Sequence, residues 1–271
     1  MKYFLLVMLC WFSSQSHAVT VTSLNIKWYG RGGDISGDAS SEYRNATVKG
    51  FVKSFVPQTD VFVFQEITDP DMLMNVFKNL DCFTYEMQSS RHQFVVMCAK
   101  EGTLKSFTVN HEVRLGKNGL RAALVGNFEF KDKSKLKVVG LHLKAGPEDT
   151  RTRLGQITQL QPSLIEDVPT LIIGDMNTYR ASRTGLEKDD AFLIGERLVG
   201  FEEAFNTVPT YLNFGGRVFD RAWGRGLENL SAEVHGPCSG DDGASLYTMR
   251  DYYKYFVSDH CALQVKFEVS K

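Results

Sequence analysis

Strongly polar side chains follow short apolar runs at several points in this sequence, each where the run ends. The runs cover residues 19–24, 61–64, 138–141 and 170–173, and the polar residues that follow them are Asn25, Glu66, His142, Asp175 and Asn177. Runs this rich in β-branched and apolar residues predict strands that are buried on both faces. Because ligand sites in layered α/β proteins gather where strands end, we expect these five side chains to share one rim.

Two further segments add groups that are suited to acid–base chemistry. Asp220 follows residues 217–219, and Asp259 and His260 come just before an alternating apolar strand predicted over residues 262–269. If that strand runs antiparallel to the others, its amino end lies at the same rim as their carboxyl ends, and His260 meets Asp220. A carboxylate fixes the tautomer of a histidine and stabilises its imidazolium, so this pair is a good general base near neutral pH.

The set holds carboxylates, amides and two histidines, and no serine or cysteine stands in a setting typical of a nucleophile. This composition disfavours covalent acyl chemistry and suits the activation of water beside a hard metal ion. Mg²⁺ prefers oxygen ligands, takes one or two protein carboxylates, and keeps several waters and the phosphate oxygens of its substrate. Glu66 is the best single candidate for a ligand, with Asn25 and Asp259 beside it. Such an ion would offset the charge that develops in an in-line displacement.

Each of these residues also has a purely structural explanation. Asn25 could form a turn, Glu66 could cap the following helix, and His142 and His260 could be hydrogen-bonded core histidines. These explanations would all have to hold independently and still produce the ordered pattern, so the functional interpretation is favoured.

The elements that must position these residues are those of one layered α/β domain. Helices are predicted over residues 42–55, 71–80 and 150–165, between the strands. Before them, Lys2 precedes an apolar run over residues 3–12, and Ser16-His17-Ala18 resembles a cleavage site. This pattern predicts a signal peptide over residues 1–18 and a domain over 19–271 in a secreted or periplasmic protein. Lipidation at Cys10 is disfavoured because Leu9 precedes it.

Cysteine usage and charge narrow the class of protein further. Removal of the leader leaves four cysteines, an even number that favours disulfides in an exported chain. Cys82 and Cys98 flank a predicted hairpin, so the preferred pairing is Cys82–Cys98 with Cys238–Cys261, and free buried thiols are the alternative. The 31 Lys and Arg residues balance 32 Asp and Glu residues, which argues against a generally basic surface that binds polyanions.

Six segments of the chain resemble, in order and approximate spacing, those of the endonuclease/exonuclease/phosphatase superfamily. The segments are Ser23-Leu-Asn25-Ile-Lys-Trp28, Phe64-Gln-Glu66, Gly140-Leu-His142-Leu-Lys-Ala-Gly146, Ile173-Gly-Asp175-Met-Asn177, Phe219-Asp220-Arg221 and Ser258-Asp259-His260. The resemblance covers residues 19–267 and is to bacterial secreted members related to deoxyribonuclease I. It implies a four-layer α/β sandwich of two packed mixed β-sheets flanked by helices, with the site at one end.

The resemblance also implies roles for individual residues. Asn25 and Glu66 would hold Mg²⁺, Mn²⁺ or Ca²⁺ with help from Asp259. His142 would stabilise the phosphate or act as a general acid, and Asp175 and Asn177 would orient water and phosphate. Asp220 with His260 would form the base, and Arg121 would contact phosphate. Further basic residues that could contact phosphate are Arg31, Arg91, Lys117, Lys144, Arg151 and Arg153. In deoxyribonuclease I a carboxylate holds the counterpart of His142. The similar segment here has no acid, which leaves His92 or Gln93 for that role.

The leading hypothesis is a monomeric, metal-dependent nuclease that hydrolyses DNA, with RNA as an open alternative. The runner-up is a phospholipid or phosphoinositide esterase similar to a sphingomyelinase. Membrane-acting relatives expose an apolar hairpin, whereas the predicted hairpin tips here, residues 89–92 and 131–135, are polar, so no stable membrane association is expected. An inert binding module of the same fold is the third hypothesis, and it is disfavoured because no histidine or acid of the set is missing.

Overall fold

The computed structural model describes residues 16–30, 41–54, 58–85, 93–115, 120–212, 217–238 and 245–269. Within these ranges the chain forms twelve strands and six helices. The strands are β1 (His17–Tyr29), β2 (Val61–Ile67), β3 (Leu80–Phe83), β4 (Phe94–Lys100), β5 (Leu104–Asn110), β6 (Ala123–Glu129), β7 (Lys135–His142), β8 (Thr170–Asp175), β9 (Glu202–Glu203), β10 (Asp220–Arg225), β11 (Glu228–His235) and β12 (Ala262–Val269). The helices are α1 (Ser41–Lys53), α2 (Pro70–Val76), α3 (Thr150–Leu160), α4 (Ala181–Thr184), α5 (Asp190–Arg197) and α6 (Ser245–Phe256).

The strands form two mixed sheets of six strands each. The first has the order β11-β12-β1-β2-β4-β3 and the second the order β5-β6-β7-β8-β10-β9. β1 and β2 are parallel, as are β7 and β8, and the last strand β12 runs antiparallel to β1. The two mixed sheets flanked by helices confirm the predicted fold class, and the antiparallel direction of β12 is the one that the predicted shared rim requires.

Side chains of the central strands alternate between two buried environments. Val61 and Val63 of β2 pack between the two sheets, whereas Phe62 and Phe64 pack in the cluster that includes residues of α1 and α2. In β8, Ile173 faces the other sheet and its neighbour Ile172 faces the cluster that includes residues of α3 and α5. Both faces of β2 and of β8 are therefore covered, which is why the sequence shows continuous apolar runs there rather than an alternating pattern.

All three predicted helices end earlier in the structure than in the sequence analysis, the first of them at Lys53 instead of residue 55. The helix predicted over residues 71–80 ends at Val76, because residues 80–83 pair with β4 as strand β3. The helix predicted over residues 150–165 ends at Leu160, and the chain continues as a 3-10 turn over Gln161–Leu164. Pro162 lies in that turn, where its missing N–H cannot complete the hydrogen bonds of an α-helix.

The two predicted disulfides are confirmed. Cys82 and Cys98 lie directly opposite each other on β3 and β4, and their sulfurs are bonded. Cys238, which follows β11, is bonded to Cys261, which directly precedes β12. The second bridge therefore anchors the chain next to His260.

Replacement of Cys238 and Cys261 together by serine is expected to lower the free energy of unfolding by about 3 kcal/mol, because the bridge removes loop entropy from the unfolded chain. Cys238 and Cys261 are 23 residues apart in the sequence. Urea denaturation followed by circular dichroism measures the change. As a control, addition of dithiothreitol should destabilise the unaltered protein more than this variant. Equal unfolding midpoints for the two proteins without reductant would contradict the prediction.

The predicted leader falls mostly outside the described residues, which begin at Ser16. Its last two residues, His17 and Ala18, pair with Val269 and Glu268 at the start of β1. The structured part of the chain contains no helix that is both long enough and apolar enough to span a membrane. Of the two predicted hairpin tips, residues 89–92 lie outside the described ranges, and at the other tip Lys133 forms an ion pair with Glu129.

Candidate active site

Three polar residues of the second sheet lie side by side across adjacent strands. His142, at the end of β7, is in register with Asp175 on the parallel strand β8. Asp175 is in register with Asp220, the first residue of the antiparallel strand β10. All three side chains are almost completely buried. Strand pairing alone thus collects residues that are far apart in the sequence.

The first sheet contributes Asn25, where the regular pairing of β1 with β2 stops four residues before β1 ends, and Glu66, near the end of β2. The amide Nδ2 of Asn25 donates to Glu66 Oε1 at 3.0 Å and to Asp175 Oδ2 at 3.0 Å. Glu66 has a backbone φ of +58°, which costs a non-glycine residue on the order of 1 kcal/mol. Its pairing with β4 is irregular at the same point. The rims of the two sheets therefore meet at Asn25.

The backbone around Asp175 is shaped for close approach of β7 and β8. Gly174 has a φ of +150°, and a Cβ atom there would lie 2.0 Å from the carbonyl oxygen of Leu141. Asn177 follows with a φ of +49°, a left-handed conformation that asparagine tolerates. Its backbone N–H donates to Asp175 Oδ1 at 2.9 Å, and its Nδ2 donates to the carbonyl of Leu143 at 3.2 Å. The Gly-Asp-Met-Asn segment is thus locked against the end of β7.

His260 is held by Asp220, as the sequence analysis expected. Nδ1 of His260 lies 2.8 Å from Asp220 Oδ2, and both side chains are buried. The backbone N–H of His260 donates to Ser258 Oγ at 3.0 Å, and Ser258 Oγ in turn donates to the carbonyl of Asn25. The loop before β12 is therefore fixed to β1 at Asn25, and Nε2 of His260 is directed toward Asp175, 3.8 Å from its Oδ2.

The buried carboxylates set the protonation of His260. Burial lowers the pKa of its imidazole, but the charges of Asp220 and Asp175 outweigh this effect and raise the pKa to about 10. Burial raises the pKa of Asp175 to about 6, an effect that His260 opposes and Asp220 reinforces. Without a cation, His260 is therefore an imidazolium at neutral pH, and positive charge near the carboxylates would favour its neutral, basic form.

His142 is in the opposite protonation state to His260. Burial lowers the pKa of its imidazole well below the usual value, and Arg121 and His260 lower it further, so the ring is neutral. Nε2 lies 3.4 Å from Asp175 Oδ2 and 3.9 Å from Glu66 Oε1. Its buried Nδ1 has no hydrogen-bond partner among the residues that the structure describes, Gln93 included. His92, the other residue considered for the supporting role, lies outside them.

The donor set suits a hard divalent cation. Ligand atoms of Glu66, His142 and Asp175 all lie within 4.8 Å of one another. Two buried or half-buried carboxylates without a cation between them are electrostatically costly, and an added ion would relieve that cost. Oxygen donors with one imidazole fit Mg²⁺ and, more readily, Mn²⁺. Asn25 turns its NH₂ group toward the carboxylates, so its oxygen becomes a ligand only if the amide rotates by half a turn.

Of three other predicted residues, the structure places the charge of Arg121 near this centre, whereas the side chains of Asp259 and Lys144 form ion pairs outside it. The carboxylate of Asp259 lies 3.5 Å from Lys27 Nζ rather than in the Glu66 group. Arg121 is buried and donates from Nη2 to the carbonyl of Leu143 at 2.9 Å, which places its charge near Glu66 and Asp175. Lys144 Nζ lies 2.8 Å from Asp149 Oδ2 and donates to the carbonyl of Ala145, so it is engaged within its own loop.

Sequence reasoning missed Thr210 and Tyr211 as supports of the site. The hydroxyl of the buried Thr210 accepts from the backbone N–H groups of Phe219 and Asp220, each at 2.9 Å. Tyr211 forms a backbone bridge with His260, and their ring centroids are 4.9 Å apart. No motif or apolar run marks either residue, because their contacts join segments that are distant in sequence.

Comparison of the chain with known proteins gives a match at the level of structure. No family model matches the sequence, and no curated protein matches it. An endonuclease/exonuclease/phosphatase from Bacteroides vulgatus is similar with a TM-score of 0.68 at 15% identity, over 94% of this chain and 100% of that one. Truncated TDP2 from Caenorhabditis elegans has a TM-score of 0.64 at 17% identity, over 92% of this chain and 97% of that one.

A third similar structure is TDP2 from D. rerio complexed with a single strand DNA product, with a TM-score of 0.65 at 14% identity, over 92% of this chain and 98% of that one. Identities this low establish the fold and not the activity. The two six-stranded sheets and nearly complete coverage of each chain agree with the expectation drawn from the six sequence segments. The protein therefore has the fold of the endonuclease/exonuclease/phosphatase superfamily.

Proposed function

We propose that this protein is a secreted or periplasmic, divalent-metal-dependent phosphodiesterase that hydrolyses nucleic acid, with DNA as the favoured substrate. The observation that carries the proposal is the pair of Asp220 and His260 facing Asp175, next to the oxygen-rich group around Glu66. A carboxylate-held histidine beside a candidate cation site is suited to the attack of water on a phosphodiester.

Glu66, Asp175 and His142 would hold the ion, with Asn25 beside them. A divalent ion bound there would polarise a phosphoryl oxygen and offset developing negative charge. His260 would take the proton of the attacking water at Nε2, because Asp220 already occupies Nδ1 and stabilises the imidazolium that forms. The water oxygen would bond to phosphorus as the P–O bond to the leaving group breaks, and the leaving oxygen would take a proton from solvent. Asp175 would orient that water, since its Oδ2 lies 3.8 Å from His260 Nε2. Asn177 and Arg121 would contact the phosphate.

Two observations support nucleic acid as the substrate. TDP2 from D. rerio, which shares the fold, was solved with a single strand DNA product. The hairpin tip at residues 131–135 carries charged residues and an ion pair, which disfavours insertion into a lipid surface. The two disulfides fit an oxidising compartment, which supports the assignment to the periplasm or the exterior of the cell.

Digestion of supercoiled plasmid by the purified mature protein tests this function. Nicking with Mg²⁺ or Mn²⁺ should be lost in EDTA, and Glu66→Gln should lower the rate at least about 100-fold, because a bound ion contributes several kcal/mol to the transition state. Mn²⁺ should also raise the melting temperature of the unaltered protein and not that of Glu66→Gln. The exposed Glu101→Gln is the matched control and should behave like the unaltered protein.

The same assay separates the alternatives that share the fold. Hydrolysis of sphingomyelin or phosphoinositide vesicles in the absence of any cleavage of plasmid, linear DNA or RNA would replace the nuclease by a phospholipid esterase. Binding of nucleic acid without turnover in any divalent metal would leave an inert binding module.

A further inference from the structure

A cleft of about 1140 Å³ lies beside the candidate active site, between the segment after β8 and the segment that leads into β10. Four guanidinium side chains line it, those of Arg180, Arg183, Arg217 and Arg221. Tyr211 contacts both the cleft and the candidate active site, since it lines the cleft and its ring centroid lies 4.9 Å from that of His260. The cleft therefore lies next to His260, with the ring of Tyr211 between them.

The four arginines of the cleft outnumber the two carboxylates that offset them, Asp189 in the described lining and Glu203 paired with Arg221. Arg221 is neutralised by Glu203 and donates from Nε to Thr178 Oγ1 at 2.9 Å. Arg180 and Arg183 are exposed, and neither they nor Arg217 form an ion pair with any carboxylate in the described part of the chain. The acidic residue of the described lining, Asp189, accepts from the backbone N–H of Ala181. Because the whole chain is nearly neutral, this local excess of positive charge points to an anionic occupant.

Aromatic surface accompanies the charge. Phe205 lines the cleft with 73% of its surface exposed. The guanidinium of Arg217 lies over the rings of Tyr179 and Phe219, at 5.5 Å and 5.7 Å from their centroids, which holds it against one wall. Guanidinium groups bind phosphates, and an exposed ring offers a face on which a base can stack. A duplex hides the faces of its bases, whereas a single strand presents them.

We propose that this cleft binds the part of a single strand that adjoins the scissile phosphodiester. Arg180, Arg183 and Arg217 contact its phosphates and Phe205 stacks on an unpaired base, so the protein selects single-stranded over duplex nucleic acid. The choice of nucleic acid as the anion rests on the proposed function, and the selectivity rests on the cleft itself.

Fluorescence anisotropy of a labelled, short single-stranded oligodeoxynucleotide in EDTA measures binding without turnover. Phe205→Ala is expected to raise Kd about tenfold. Arg180→Gln with Arg183→Gln is expected to reduce the slope of log Kd against log salt concentration by about 1.4, since each phosphate contact to a single strand contributes about 0.7. The same oligonucleotide annealed to its complement should bind the unaltered protein at least about tenfold more weakly.

Phe192→Ala and Arg197→Gln serve as matched controls, because both residues are exposed and neither belongs to the described lining. Both should bind the single strand as the unaltered protein does. Equal affinity of Phe205→Ala and the unaltered protein, or equal affinity for single strand and duplex, overturns the proposal.

Hydrolysis of methyl p-nitrophenyl phosphate separates this proposal from the proposed function. The compound is a phosphodiester with neither a second phosphate nor a base, so the cleft variants should hydrolyse it with unchanged kcat/KM while KM for the single strand rises. Turnover of this compound by all proteins, with oligonucleotide affinity unaffected by the cleft variants, overturns the cleft and leaves the phosphodiesterase. Absence of all turnover, with the expected binding changes, overturns the phosphodiesterase and supports the cleft.

Discussion

His260→Ala is expected to lower kcat for DNA hydrolysis by about 10²- to 10⁴-fold, the contribution of a positioned general base. The ring is buried, fixed through Nδ1 by Asp220, and free at Nε2 to face Asp175. Steady-state rates on a fluorescent oligonucleotide in Mn²⁺ measure the loss. His111→Ala is the matched control, since His111 is exposed in the 3-10 turn after β5 and should not affect turnover.

Asp220→Asn distinguishes a catalytic pair from a structural one. The change keeps the shape of the side chain but removes the charge that, with Asp175, raises the pKa of His260. We therefore expect the pKa of His260 in EDTA to fall from about 10, as NMR titration of the imidazole would show, together with a loss of kcat. Full activity of His260→Ala, with folding intact, would exclude His260 as the base, and full activity of Asp220→Asn would exclude a catalytic role for the charge of Asp220.

Asp190→Ala is expected to destabilise the protein by about 3–5 kcal/mol, because it leaves the buried Arg153 without its counter-charge. Nη2 of Arg153 lies 2.5 Å from Asp190 Oδ2, and both side chains are fully or almost fully buried. The second oxygen of Asp190 accepts from Thr150 Oγ1 at 2.6 Å. Urea denaturation at neutral pH measures the change in the free energy of unfolding.

Two further variants make this prediction sharper. Glu196→Ala, which breaks the exposed ion pair between Glu196 and Lys188, should lower the free energy of unfolding by about 1 kcal/mol or less. Arg153→Met combined with Asp190→Leu should destabilise less than Asp190→Ala alone, since no unpaired charge remains in the core. If Asp190→Ala and Glu196→Ala were equally mild, the buried pair would not be the element that holds this region together.

The same buried pair also positions the active-site loops. Nη1 of Arg153 donates to the carbonyls of Lys144 and Gly146, in the loop that follows His142. Asp190 accepts from the backbone N–H of Tyr179, two residues after Asn177. Loss of the pair should therefore reduce activity as well as stability. Arg153 is buried and supports the loops of the site, whereas the sequence analysis had considered it as a residue that could contact phosphate.

The sequence by itself determined which strands are buried and which polar residues follow their apolar runs. Continuous apolar runs mark strands that are covered on both faces, and a polar residue at the end of such a run marks the rim. Asn25, Glu66, His142, Asp175 and Asn177 were predicted in this way, because burial and strand period are local properties that a short window of sequence contains. The pairing of Cys82 with Cys98 was similarly accessible, since a predicted hairpin places them opposite each other.

Tertiary structure decided which of these side chains meet and in what state. Asp259 faces Lys27, Lys144 faces Asp149, and Arg153 is buried against a residue 37 positions away. The opposite protonation of His142 and His260 depends on burial and on carboxylates supplied by other strands. The arginine-lined cleft likewise joins segments after β8 and before β10. Contacts between distant segments, and the electric field that they create, arise only when the sheets pack.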